Sequence, residues 1–301
     1  MGVLAVGSVA LDSVKTPFGN IEDALGGSAT FFSIAASYFT DVSIVAVAGS
    51  DFPAEHMELF KSCGIDTTGL TVEDGETFRW SGVYGYDLND RETIDTRLNV
   101  FERFCPVLPE SGVNSEFLFL ANIDPDLQNF VLKQVTAPRL VACDTMNFWI
   151  EGKKAALLDI MKRVDMMILN DYECRELAGE PNLITASRAI LGMGPSTAIV
   201  KKGEHGVLMT TSKDFFSAPA YPCESVFDPT GAGDSFAGGF MGHLAATGDT
   251  SAQNIRRAVI YGTVMASFCV ERFSVGGMTG LNRSDIERRF HTLKQLSHFE
   301  P

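Results

Sequence analysis

Short, almost wholly apolar runs alternate with longer segments of mixed character over most of the chain. Val3–Val6, Val42–Val47, Phe117–Leu120, Leu140–Cys143, Met166–Leu169 and Ala198–Val200 are such runs. They predict strands covered on both faces, as in a parallel sheet. Between and after them the pattern predicts helices at about Phe31–Tyr38, Pro53–Cys63, Lys153–Arg163, Cys174–Ala178, Thr185–Leu191, Ile255–Val270 and Ser284–Leu296. The last would start on Ser284 and Glu287 as a capping box, with Arg288 and Arg289 on a solvated face. This alternation predicts an α/β fold, a doubly wound, mostly parallel sheet with helices on both faces.

Two stretches break the alternation. Residues 13–25 hold Pro17, Gly19 and Asn20 between short extended pieces. From Thr77 to Phe104, Phe78, Trp80, Val83, Tyr84, Tyr86, Thr93, Ile94, Thr96, Leu98 and Val100 follow no helical period and flank a polar turn at 87–90. Together they predict a small β-sheet, with lid strands inserted at about 13–25 and 76–104 in one domain spanning 1–301. Such a sheet is either an edge of the main one or a lid that closes over substrate and excludes water. Its exposed strands also offer a route to a homodimer.

Composition narrows the partners. The 301 residues are 45% hydrophobic and carry a net charge of −14 without any basic block. Nucleic acid and anionic membrane are therefore poor partners. Cysteines 63, 105, 143, 174, 223 and 269 are scattered with no CxxC, which argues against a zinc site or disulfide framework and suits a reducing cytoplasm. The first segment lacks a basic n-region and meets Asp12 early, so it reads as a buried strand and not a signal peptide. No apolar run reaches membrane-spanning length.

The candidate chemistry centres on Phe227–Phe240, FDPTGAGDSFAGGF. Gly231, Ala232 and Gly233 run straight into Asp234 and then into a helical pattern of small residues. A bare loop feeding a helix N-terminus gathers free N–H groups and partial positive charge, a place for phosphate or a developing anion. A carboxylate there is poised to take a proton from a nucleophile. The plain alternative is a tight turn with Asp234 as N-cap. Polar residues also recur at successive strand ends: Asp12, then Asn122 and Asp124, Asp144 and Asn147, Asn170 and Glu173, Lys201 and Gly203. In an open α/β sheet these share the ligand-binding edge. Asn170 and Glu173 suit hydrated Mg²⁺ or, equally, a helix capping box. Gly26 and Gly27 allow close approach of a ligand or tight packing of the next helix.

The run from Phe227 to Phe240 closely resembles the C-terminal signature of the PfkB (ribokinase-like) kinases, D-x-x-G/A-A/G-G-D followed by small and apolar residues. The resemblance extends in order over nearly the whole chain. It implies a ribokinase-like fold and an ATP-dependent kinase acting on a hydroxymethyl group of a sugar or nucleoside. It assigns Asp234 as base and the Gly231, Ala232 and Gly233 amides as anion hole. Asp12, Gly26, Gly27 and Phe31 fall to the acceptor, and Asn170, Lys201, Gly203, Gly206 and Thr230 to ATP. The family's D-x-N segment looks like Asp144 and Asn147. Glu173 with Asn170 would meet Mg²⁺ through water, and Asp228 a monovalent cation such as K⁺. Phe31 stands where many relatives have Asn, so the acceptor is open among an adenosine-like nucleoside, a monosaccharide and an inositol. Phe31 is either a base-stacking ring or ordinary core. No GxxxxGK[ST] is present, and no GxGxxG follows the first strand. The competing reading is a ligand sensor that kept the fold and lost the chemistry; it has no use for Asp234 beside a bare anion loop.

Overall fold

The computed structural model describes residues 2–298; residue 1 and residues 299–301, the ends of the expected 1–301 span, lie outside the described residues. The chain opens with β1 (Gly2–Val6), β2 (Ala10–Thr16), β3 (Gly19–Gly26), α1 (Ser28–Ser37), β4 (Asp41–Gly49), α2 (Ala54–Ser62) and β5 (Ile65–Glu73). There follow β6 (Phe78–Tyr84), β7 (Arg91–Arg97), α3 (Glu110–Val113), β8 (Phe117–Leu120), α4 (Pro125–Leu132), β9 (Leu140–Asp144), α5 (Asn147–Gly152) and α6 (Lys154–Met161). The last third holds β10 (Met166–Asn170), α7 (Asp171–Ala178), α8 (Leu183–Gly192), β11 (Thr197–Lys201), β12 (Val207–Thr211), β13 (Phe215–Ala218), α9 (Ala232–Thr247), α10 (Ala252–Cys269) and α11 (Arg283–Leu296).

Among the described residues, nine strands form one sheet in the order β13-β12-β11-β10-β9-β8-β1-β4-β5. Every pairing from β11 to β5 is parallel, and β12 and β13 add an antiparallel edge. β1 shows why its sequence is so uniformly apolar. Val3 and Ala5 face a core shared with α1, α9 and α10, while Leu4 and Val6 face a second core shared with α6, α7 and α8. Both faces are covered, so the strand has no side free for polar residues. No helix among the described residues is long and apolar enough to cross a membrane.

The smaller sheet has the order β3-β2-β6-β7. β2 and β3 form a hairpin, as do β6 and β7, and a parallel pairing of β2 with β6 joins the two chain excursions. Four expectations need correction. The smaller sheet starts at Ala10, before residue 13, and so takes in Asp12, which lies within β2 and not at the end of a large-sheet strand. Val100 is not in a strand: a 3₁₀ turn over Asn99–Arg103, with Asn99 at φ 50, drives it into the core of the large sheet. The cap of α11 is Asn282 with Asp285 as its box partner, two residues before the predicted Ser284 and Glu287. Arg289 is not solvated; it is half-buried, donates to Ser267 and pairs with Glu271 at 2.7 Å, and lies over the Phe268 ring. The antiparallel strands β12 and β13 were not anticipated.

Candidate active site

β9, β10 and β11 are parallel neighbours in register, with Ile168 opposite Asp144 and Asn170 opposite Lys201. Their carboxyl ends therefore deliver Asp144, Asn170 and Lys201 to one edge of the large sheet. Lys201 Nζ pairs with Asp144 Oδ2 at 3.1 Å, and the Asp144 side chain is only 6% exposed. Lys201 Nζ also rests against Gly233: a Cβ at that position would lie 2.7 Å from it. The missing Cβ leaves the ammonium room against the loop that starts α9.

Asn170 and Glu173 form the capping box that was one of their two readings. Asn170 Oδ1 accepts from Glu173 N–H and Glu173 Oε2 accepts from Asn170 N–H, both at 2.7 Å. The box leaves Glu173 buried beside Asp144 and Lys201. Burial first, and then the Asp144 charge, push its carboxyl up to about 7, while Lys201 pulls it down. Capping thus sets the side chain's place without removing it from the charged edge.

The bare loop has the expected form. Gly231 is left-handed (φ 75, ψ 0) and caps α9 with no side-chain hydrogen bond. Ala232 N–H donates to Pro229 O at 3.2 Å. Among the described residues the Gly231 and Gly233 N–H groups have no protein acceptor. Two of the three amides are therefore open at the N-terminus of a long helix, where the dipole favours an anion. Asp234 lies in the first turn of α9. Burial first, and then the Asp144 charge, push it up to about 8, against Lys201 and Arg91.

Asp228 fastens this loop. Its Oδ1 accepts from Thr230 N–H at 2.9 Å and its Oδ2 from Ser274 N–H at 3.2 Å, and burial raises its carboxyl. Thr230 Oγ1 donates to the Tyr84 hydroxyl of β6 at 3.3 Å, so the smaller sheet touches the loop directly.

Asp12 lines a cavity with Val14, Ile21, Leu25, Phe31, Asp228 and Thr230. Its Oδ2 lies so close over Gly26 that any Cβ there would be 2.0 Å away. Gly27 is at φ 94 and a Cβ on it would meet Ser8 O at 2.5 Å. Burial pushes the Asp12 carboxyl up to about 7, opposed by the Gly27 amide. Phe31 is buried in the core, yet its ring packs against Gly231, whose Cβ would fall 2.3 Å from it. It therefore serves both the core and the wall between this cavity and the loop that starts α9.

Gly203 (φ 55) and Gly206 (φ 82) shape the tight β11–β12 loop, closed by Lys202 N–H to Gly206 O at 2.8 Å. Other strand-end residues have local tasks. Asn122 accepts from the Trp149 indole at 3.0 Å, and Asp124 caps α4 and pairs with Lys153 at 2.7 Å. Asn147 is exposed at the start of α5, in the run Asp144-Thr145-Met146-Asn147, one residue longer than D-x-N. All six cysteines are free.

Two residues of the smaller sheet escaped the sequence reading. Tyr84 is marked by its sequence only as a strand residue. Arg91 begins β7, and its positive charge lowers Asp12, Glu173 and Asp234 alike. Nothing local marks Arg91, since its reach depends on the hairpin folding back over the sheet edge.

A family model described as pfkB family carbohydrate kinase matches residues 6–279. The cytidine kinase of Thermococcus kodakarensis is 26% identical over 247 residues, 80% of this chain and 87% of that one. The nucleoside kinase of Burkholderia thailandensis, solved in complex with inosine, superposes with a TM-score of 0.76 at 20% identity over 97% of each chain. An E. coli structure in complex with ATP and Mg²⁺ superposes with a TM-score of 0.79 at 20% identity, over 96% of this chain and 99% of that one. The shared architecture is the ribokinase-like α/β fold with its smaller separate sheet.

Proposed function

The chain belongs to the pfkB family of carbohydrate kinases, sugar and nucleoside phosphotransferases with alcohol acceptors, and from that premise we propose that it transfers the γ-phosphoryl group of ATP to a nucleoside hydroxymethyl group. The observation that carries this reading is the juxtaposition at the start of α9: Asp234, partly buried, follows directly on the open Gly231 and Gly233 amides, with Lys201 against Gly233. Asp234 accepts the proton of the attacking hydroxyl, and the two amides face the negative charge of the phosphoryl group. Positioning and electrostatics do the rest, as in phosphoryl transfer generally.

A nucleoside is proposed over a free sugar on the character of the residues that line the cavity. Asp12 offers a carboxylate to sugar hydroxyls, while Val14, Ile21, Leu25 and Phe31 supply apolar wall. The cytidine and nucleoside kinases among the relatives support the same choice. The smaller sheet is proposed as the lid.

Among the described residues, no group of three or more His, Cys, Asp or Glu could hold a metal ion by itself. Glu173 and Asn170 would hold a hydrated Mg²⁺ borne on nucleotide phosphates. When bound, the ion supplies neutralisation of the phosphate oxygens. Asp228 is proposed to answer to a monovalent cation; a rate equal in K⁺ and in a bulky organic cation would remove that assignment. β7 is exposed along its whole length and leaves the small sheet an open edge, so a homodimer through the lid is proposed. Sedimentation of a monomer at all concentrations would exclude it.

The test is ADP formation from ATP with cytidine, adenosine and inosine beside ribose, hexoses and inositols. Nucleosides are expected to give the highest kcat/KM, and Asp234→Asn to lower kcat by about 10²–10⁴-fold while ATP still binds. Preference for a free sugar would overturn the acceptor. Binding without turnover on every compound would leave the sensor reading.

A further inference from the structure

Away from the carboxylates, one polar contact ties the smaller sheet to the rim of the large one. The turn between β6 and β7 is stiffened by Asp87 Oδ1, which accepts from Asn89 N–H at 3.0 Å. Asn89 then reaches across to the β11–β12 loop and donates its amide to Glu204 Oε2 at 2.6 Å. Its Oδ1 lies over Gly203, where a Cβ would be 2.0 Å away. Gly203 is left-handed at φ 55, which favours glycine, and the absence of a Cβ leaves the Asn89 amide room to lie there. Both ends of the Asn89 amide thus engage the loop that is assigned to ATP. The bond to Asn89 is also the foremost cause of Glu204's carboxyl lying below its ordinary range. Two residues beyond Asn89, Arg91 carries the positive charge felt by Asp12, Glu173 and Asp234.

We propose that Asn89 is a positioning residue: by clasping Glu204 it fastens the lid turn to the nucleotide loop, so that nucleotide at that loop and the lid seated over the acceptor favour one another. The proposal rests on the kinase reading above. The linkage is reciprocal by thermodynamic necessity, so it is readable from either ligand. An exposed hydrogen bond places the effect at the low end of such linkages.

The test uses the full chain, as wild type, Asn89→Ala, Glu204→Ala, the double variant, and Glu204→Gln, which keeps an acceptor oxygen. Cytidine binding is measured by calorimetry with and without a non-hydrolysable ATP analogue, and hydrogen exchange is followed over residues 85–92 in the ligand-free protein. In the wild type the analogue is expected to tighten cytidine binding about fivefold. Asn89→Ala and Glu204→Ala should each reduce that to under about twofold, with the double variant no worse than either and Glu204→Gln like wild type. Exchange at 85–92 should quicken in the two alanine variants and not in Glu204→Gln. Undiminished linkage in Asn89→Ala, or unchanged exchange in both alanine variants, overturns the proposal. Failure of the wild type to phosphorylate any nucleoside would instead strike the nucleoside reading, and the exchange comparison still decides the clasp.

Discussion

Gly231 shows how much one position can be asked to do. It holds a left-handed backbone, starts α9, keeps its amide free and leaves room for the Phe31 ring. Gly231→Ala meets both objections at once, a Cβ in the left-handed region and an overpacked ring. The expected loss is about 2–5 kcal/mol, the sum of backbone strain and overpacking. Urea unfolding measures it, and a loss below about 1 kcal/mol would show that the ring moves aside freely. Asp234 is legible in sequence because its chemistry and its helix start are adjacent in the chain. Arg91 and Asn89 are not legible, because each meets its partners only after a hairpin folds over a distant sheet edge.

At the level of elements, the start of α7 joins stability to placement. Asn170 caps the helix and fixes Glu173 in the same two hydrogen bonds. Asn170→Ala should cost about 1 kcal/mol of stability. It should also raise the KM for MgATP, since Glu173 is no longer held. Unfolding midpoints and initial rates check the two parts separately; a stability loss with unchanged KM would leave Asn170 as a cap alone. The strands that were readable, β1 and β8 to β11, are those buried on both faces, where uniform apolarity is the only workable pattern. β12 was missed although it is mostly buried, because it ends in threonines; Thr210 is fully buried and donates to Ser187 Oγ at 2.9 Å. Val100 was misplaced for the opposite reason, an apolar residue whose 3₁₀ turn is too short to show a period.

Across the whole molecule, the edge of the sheet concentrates carboxyl groups away from water. Asp12 and Glu173 are pushed up to about 7 and Asp234 to about 8. Between their unfolded values near 4 and these folded values, the native state holds protons that the unfolded state has released. Stability from these groups is therefore present below about pH 4 to 5 and is lost as pH rises through 7 to 8. The melting temperature of the ligand-free protein should fall from pH 6 to pH 8.5, and Asp234→Asn should flatten that slope and melt a few degrees higher at pH 8.5. A wild-type profile that rises across this interval, or an Asp234→Asn slope equal to it, would contradict the burial of charge described here. Activity should move the other way and climb with pH as Asp234 ionises.

The parallel pairing of β2 with β6 carries a consequence for engineering. The two hairpins of the smaller sheet are separated in the chain by α1, β4, α2 and β5, of which β4 and β5 are strands of the larger one. Neither hairpin has its full set of neighbours until that intervening stretch has docked, so the smaller sheet belongs late in the folding sequence. A chimaera that imports residues 78–97 from a cousin with another taste in acceptors inherits a strand cut to fit someone else's β2. Transplanting selectivity thus calls for exchanging both hairpins as one matched set.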